Sequence, residues 1–356
     1  MNVLFIVPYP TGGGSNRLRV EQYLPLLRKH GVGYAVRPFL SPARFYDILY
    51  RPGRIVRKGL YFLVSSLNRL LDLARSRRFD LIFIHREFFP FGPPILERLL
   101  SGSGIPIVYD FDDAIWQQNS SEVNRPLQIL KCPGKVGRII SLSRQIIAGN
   151  GYLRDYALQY NSRVAVIPTP VDTDRLYPVS RANEGAVTLG WIGSHSSAPY
   201  LRLLDSVLPR LASRYDLRLK VVGGEYHCAH ARVSTHEWRL DREAADLHSF
   251  DIGLMPMPDN PWTQGKCAFK ALQYMAVGIP AVCSPVGMNT EVVQDGVSGL
   301  LASSEAEWIE KVSLLIENPG LREAMGQRGR AAVEERYSVK ANFPKFLRVL
   351  EDAVKA

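Results

Sequence analysis

Cysteine is scarce in this 356-residue sequence, long apolar runs are missing, and no recognisable nucleic-acid module is present. The four cysteines, Cys132, Cys228, Cys267 and Cys283, are scattered, which argues against a disulfide framework and makes a reducing cytoplasm the default compartment. No apolar stretch reaches the ~18 residues of a membrane span. The opening MNVLFIVPYP lacks the basic flank and cleavage site of a signal peptide and reads as a buried first strand. The glycine-rich TGGGSNR at 11–17 has neither the Gly-Lys-Ser/Thr ending of a nucleotide P-loop nor the spaced glycines of a dinucleotide fingerprint. His227, Cys228, His230 and His236 show no repeated pair spacing, so no metal site is expected there.

Acidic residues are short in one half only. Residues 1–180 hold 24 Lys and Arg against 13 Asp and Glu, whereas the rest hold 20 against 21, so an excess of +11 in the first half and −1 in the second make the net +10. A basic face on one domain suits an anionic partner, either a phospholipid surface or a pyrophosphate-linked acceptor. Nucleic acid is not expected. Residues 51–78 sharpen the point, because an apolar stripe of Leu60, Leu63, Val64, Leu67, Leu70, Leu71 and Ala74 is accompanied by eight basic residues and one acid, Asp72. Such a helix can pack on a core or lie on an anionic membrane.

Short apolar runs mark buried strands at 3–7, 80–85, 106–111, 145–149 and 164–168, with helical patterns between them. A second series follows at 188–193, 219–224, 251–256 and 279–284. The class is therefore α/β, with two successive doubly wound parallel sheets whose ligands meet the carboxyl ends of the strands. Expected boundaries are 1–172 for the first domain, 173–186 for a Pro-rich linker, 187–338 for the second domain and 339–356 for a last helix starting near Pro344.

The most informative line is GKCAFKALQYMAVGIPAVCSPVG, Gly265 to Gly287. Phe269, Leu272, Met275 and Ala276 recur at helical spacing from a start near Gly265 and Lys266, and Gly278 stops the helix. A helix start offers N–H groups and a partial positive charge, so a diphosphate there is stabilised by backbone, dipole and ammonium together. In YDFDDAIW, three carboxylates close a strand, which favours a functional role because burying acids is costly; Asp110 and Asp112 share one face by the two-residue period and Asp113 lies opposite. Asp110-Phe111-Asp112 also spells an Asp-any-Asp metal motif, a tripeptide common by chance. His85, Arg86 and Glu87 follow a strand and reach its ligand-facing end.

The segment 265–287 resembles the donor-binding signature of the two-domain, B-type glycosyltransferases, specifically family 4, in a branch that writes GKC, a Lys and QYMA. The family's paired glutamates fall here on Gly265 and Gln273. The resemblance extends over nearly the whole chain and implies two Rossmann-like domains facing a cleft, with the last helix crossing back to the first domain. It implies a nucleoside diphosphate sugar held by Gly13, Gly14, Gly193, Ser194, His195, Gly223, Gly224, Lys266, Lys270 and Gln273. The acceptor, a glycan or lipid-linked saccharide, would meet Arg17, His85, Arg86, Asp110 and Asp113. Asp112 stands where many family members have an active-site His, and Lys266 would neutralise the leaving diphosphate, so these two are the catalytic candidates. No metal or other cofactor is expected. The implied activity is retaining sugar transfer in cell-surface polysaccharide or glycolipid assembly, in the cytoplasm or peripherally on the inner face of the cell membrane. A sugar-nucleotide epimerase and a catalytically silent donor-binding subunit are the alternatives.

Overall fold

The computed structural model describes residues 1–42, 44, 53–117, 132, 134–180 and 185–355. Residues 51 and 52 of the basic stretch and 181–184 of the expected linker lie outside the described residues. The chain forms two compact units, Met1–Pro170 with Asn342–Ala356, and Val171–Ala341.

In the first unit six parallel strands, β1 (Asn2–Val7), β2 (Gly33–Pro38), β3 (Leu81–His85), β4 (Ile107–Phe111), β5 (Gln145–Ala148) and β6 (Val164–Val166), stand in the order β2-β1-β3-β4-β5-β6. The central strands β3 and β4 are buried along their whole length, as continuous apolar runs covered by helices on both faces must be. The edge strand β2, GYAVRP, escapes the apolar-run criterion because it is only partly covered. In the second unit β7 (Val187–Ile192), β8 (Leu217–Val222), β9 (Arg232–His236), β10 (Ile252–Met255), β11 (Ala281–Cys283) and β12 (Gly299–Leu301) are also all parallel, in the order β12-β11-β10-β7-β8-β9. The polar edge strand β9 and the three-residue β12 carry no apolar run either. Strand order reverses between β1 and β3 and again between β7 and β10. Loops leaving neighbouring strands in opposite directions open a crevice at such a point, and open α/β sheets bind ligands there.

The described part of the expected linker packs on the second unit: Val171 bridges to Ser338, and Arg330 donates to the carbonyls of Thr173 and Leu176. The last helix runs Val339–Lys355, so Pro344 lies inside it rather than in its first turn. From Asn342 onward it belongs to the first unit, where Phe346 stacks on Tyr23 with ring centroids 4.3 Å apart.

The basic stretch forms a 21-residue helix, Ile55–Arg75, whose polarity is inverted. Its buried residues are Ser65, Arg69 and Asp72. Arg69 fixes it to the sheet by donating to the carbonyls of Val7 (2.8 Å), Arg37 (2.9 Å) and Phe88 (2.9 Å) while pairing with Asp72. The apolar stripe faces outward: Ile55 and Val56 are 83% and 88% exposed, and Leu60, Leu63, Leu67, Leu70 and Leu71 are exposed too. Among the described residues no helix is long and apolar enough to cross a membrane.

Candidate active site

The expected site residues fall into two groups, one in each unit, each at the carboxyl ends of strands flanking a reversal of strand order.

In the first unit, register places His85, the last residue of β3, beside Asp110 of β4. His85 Nδ1 lies 2.6 Å from Asp110 Oδ2, and Nε2 lies 2.6 Å from the Ser15 hydroxyl. Ser15 and Arg19 share one side of the helix Gly14–Arg19, four residues apart. Arg19 clamps both Asp110 oxygens and donates to the Ile167 carbonyl at 2.8 Å. Burial pushes the Asp110 pKa up, but Arg19 and His85 outweigh it and hold the carboxyl below its ordinary value. Arg17 lies two residues from both Ser15 and Arg19 and so does not share their side; burial lowers its pKa, with Glu21 opposing.

Arg86 turns the chain at φ +64°, a left-handed conformation that costs a non-glycine residue roughly 1–3 kcal/mol. Its peptide is held on both sides: the N–H donates to Asp110 O at 2.8 Å, and the Tyr109 hydroxyl donates to its carbonyl at 2.7 Å. The turn lets the guanidinium grip Asp112 Oδ1 through Nε and Nη2 (2.9 and 2.8 Å) and reach Asp113 as well. The face alternation expected across Asp110, Asp112 and Asp113 therefore stops at Asp110, because β4 ends at Phe111 and Arg86 gathers the two aspartates beyond it. Burial raises the Asp112 pKa, yet Arg86, His85 and Arg19 together hold it well below the carboxylate range. The Asp-any-Asp tripeptide is thus matched to arginines, and among the described residues no three His, Cys, Asp or Glu side chains gather as a metal site. In the glycine loop Gly13 is tightly packed, since a Cβ there would meet Tyr9 Cβ at 2.5 Å, whereas Gly14 faces open space.

In the second unit β7 and β10 flank the reversal. Gly193 follows β7, and a Cβ on it would meet the Trp191 ring at 2.5 Å and Lys270 Cε at 2.8 Å. Lys270 thus lies directly over the strand end, its ammonium 5.5 Å from the Trp191 ring centre. Gly223, at φ +81°, closes the neighbouring strand end so tightly that a Cβ would lie 2.2 Å from the Gly193 carbonyl oxygen. Gly224 serves packing, against Ala198 and Trp191. Ser194 is tied to Ser196 and Ser197 in an exposed turn, and His195 is exposed.

The helix expected from Gly265 begins instead at Phe269 and ends at Ala276. A separate turn, Pro261–Gln264, is capped by Asn260 and ends on Gly265, and Ala268, in a left-handed conformation at φ +51°, starts the new helix with no side-chain cap. Lys266 therefore sits in the connection rather than on the helix, its ammonium 4.6 Å from the centre of the Trp262 ring. Gln273 is buried on this helix and donates to Glu243 Oε1 at 3.2 Å. Glu243 also accepts from the Trp238 indole at 3.2 Å and from Arg175.

Sequence reasoning missed Ser15, Arg19, Arg175 and Glu243. The four-residue spacing of Ser15 and Arg19 after the glycine loop was a usable signal for the first pair. Arg175 and Glu243 are 68 residues apart and had none.

Two family models match the chain, Glycosyltransferase Family 4 over residues 26–175 and Glycosyl transferases group 1 over residues 186–318. No curated protein matches the sequence significantly. Solved structures match over essentially the full length. Sucrose-phosphate synthase from Thermosynechococcus elongatus gives a TM-score of 0.72 at 14% identity, covering 99% of this chain and 98% of that one. Anabaena HepE in complex with UDP-glucose gives 0.66 at 15% identity, covering 99% and 100%. A UDP-forming trehalose-phosphate synthase from Burkholderia xenovorans gives 0.66 at 13% identity, covering 100% of both. At these identities the structures establish a shared fold.

Proposed function

Because this chain is a glycosyltransferase of the two-domain GT-B fold, we propose that it transfers a sugar, with retention, from a UDP-sugar to a glycan or lipid-linked acceptor. The observation that carries this reading is Lys270 lying over Gly193 at the strand-order reversal of the second unit. The missing side chain at Gly193 lets Lys270 pack over the strand end, so a diphosphate there meets an ammonium and the uncapped start of the helix Phe269–Ala276. Lys266 and Lys270 supply the neutralisation that a metal ion gives elsewhere, so no metal is invoked. Uridine as the base is supported by the UDP-glucose complex of the Anabaena protein and the UDP-forming Burkholderia enzyme. Retention follows the family 4 likeness, as front-face attack without a covalent intermediate. Asp112, kept ionised by Arg86 despite its burial, stabilises positive charge at the anomeric carbon.

The acceptor side is the basic first unit. The outward apolar stripe of the helix Ile55–Arg75, flanked by Arg54, Arg57, Lys58, Arg75, Arg77 and Arg78, suits a peripheral site on an anionic membrane and hence a lipid-linked acceptor. Surface polysaccharide or glycolipid assembly is the process this points to.

Incubating the purified protein with labelled UDP-glucose and other UDP-sugars, with and without bacterial lipid extract, tests the reading. Label transferred only when lipid is present is the expected result. Epimerised donor without acceptor identifies an epimerase instead. Donor binding without turnover under every condition identifies a silent subunit, the alternative raised by Gly265 and Gln273 at the glutamate positions.

A further inference from the structure

Asp112 is a poor proton acceptor, since two guanidinium N–H groups occupy its Oδ1 and its pKa lies far below neutrality. An acceptor hydroxyl still has to lose a proton when it attacks, to the departing diphosphate or to a protein base other than Asp112. The chemistry of such a base is present beside Asp112, with His85 Nε2 4.0 Å from its Oδ1. His85 is fully buried and bonded at both ring nitrogens, to Asp110 and to Ser15. An ionised carboxylate only accepts, so in the neutral imidazole Nδ1 carries the hydrogen and donates to Asp110 Oδ2, which leaves Nε2 a lone pair to accept from the Ser15 O–H. Arg19 grips both Asp110 oxygens, which keeps that carboxylate charged and the imidazole in this one tautomer. Ser15 alone of the three is half-buried and can meet a ligand; its hydroxyl also lies 3.4 Å from Asp112 Oδ2.

We propose that Ser15, His85 and Asp110 form a proton relay in which the Ser15 hydroxyl takes the proton of the attacking acceptor as its own passes to His85 Nε2. For its acceptor the relay rests on the sugar-transfer reading; for its activated serine it does not. In the step, the acceptor oxygen bonds to the anomeric carbon and the bond from that carbon to the diphosphate breaks, the electron pair leaving with the diphosphate. The acceptor proton ends on Ser15 Oγ and the former Ser15 proton on His85 Nε2. The imidazolium is held by Asp110 and faces Asp112 Oδ1 at 4.0 Å, with Arg19 and Arg86 behind those carboxylates opposing its charge. It resets by returning the proton through Ser15 to water. Ser15 is the catalytic residue and Asp110 the positioning one.

Treating the full-length protein with a fluorophosphonate probe reports on the serine without any sugar donor. An activated Ser15 forms the Oγ–P bond, fluoride leaves, and the hydroxyl proton passes to Nε2. Labelling should map to Ser15 by peptide mass and slow by roughly 100-fold in His85→Asn, the scale of lost base catalysis. A hydrogen bond that only holds the fold gives no such labelling. An unlabelled Ser15, or His85→Asn labelled at the wild-type rate, overturns the relay. In parallel, Ser15→Ala should lower kcat for UDP release from UDP-glucose by about tenfold or more with KM nearly unchanged, again the range of general-base loss. An unchanged kcat removes Ser15 from the transfer step. A wild-type protein that releases no UDP sinks the donor assignment, and the labelling result then decides the relay alone.

Discussion

Gln273 Nε2 donates to Glu243 Oε1 across 3.2 Å, with both side chains buried in the second unit. A carboxylate thus sits beside the position where family 4 usually carries a glutamate, but it comes from a different helix and is already held by Arg175 and Trp238. Introducing a glutamate here should therefore harm this chain. Gln273→Glu would replace a donor by a second buried carboxylate and is expected to cost about 3 kcal/mol, the scale of an uncompensated buried charge. Burial and the Glu243 charge raise the pKa of the introduced group, so the folded state binds the extra proton and the loss should shrink as pH falls. Chemical unfolding of the variant at pH 5 and pH 8 checks this, and equal stability to wild type at both would refute it.

Lys270→Ala should weaken UDP binding by about tenfold, or about 1.4 kcal/mol, as expected for one lost charge-assisted contact to phosphate. Gly193→Ala should weaken it as well while keeping the lysine, because the added methyl meets Trp191 and Lys270 Cε within 3 Å and pushes the ammonium from its place. Titration calorimetry with UDP measures both. Affinity within twofold of wild type in both variants would remove the glycine floor from the donor site.

Acid should strike the first unit through Asp110 and Asp112. Both pKa values are lower in the folded protein than in an open chain, despite burial, because of Arg19 and His85 for one and Arg86 for the other. A carboxyl with a depressed folded pKa adds stability that is complete above its unfolded value of about 3.9 and is lost as pH falls below it. Stability should hold down to about pH 5 on this account and then decline, and Asp110→Asn should flatten the decline. The same variant leaves Arg19 buried without its charge partner and should cost about 3–5 kcal/mol at neutral pH. Unfolding curves between pH 3 and 7 test both statements; a variant as stable as wild type at pH 7 contradicts them.

The double variant Leu63→Glu, Leu67→Glu should bind phosphatidylglycerol vesicles at least about tenfold more weakly than wild type. Its folding stability should change by less than about 0.5 kcal/mol per site, since both leucines are exposed. Wild-type binding should also weaken as salt is raised. Co-sedimentation with anionic and neutral vesicles gives the comparison. Equal binding of variant and wild type would separate the stripe from membranes.

Local pattern determined much of this protein. Short apolar runs such as VLFIV and LIFI, rich in β-branched and aromatic residues, read as strands covered on both faces, and their alternation with helical patterns pointed to two parallel sheets. That Lys270 stands near the start of a helix and that Gly193 and Gly223 follow strands was likewise legible, because strand ends and helix starts are local features. The helix start itself was misplaced by four residues, since the left-handed turn at Ala268 leaves no residue signature. Tertiary structure alone decided the partners. Ser15, His85 and Asp110 are joined by the order and register of β1, β3 and β4, and Glu243 meets Gln273 only once two distant helices pack. It also decided which side of the helix Ile55–Arg75 is covered: the sequence showed an apolar stripe and a basic one, but Arg69, bonding to carbonyls of three separate segments, turned the apolar side outward. Periodicity reports that two faces differ, whereas which one is buried depends on the groups waiting for it across the chain.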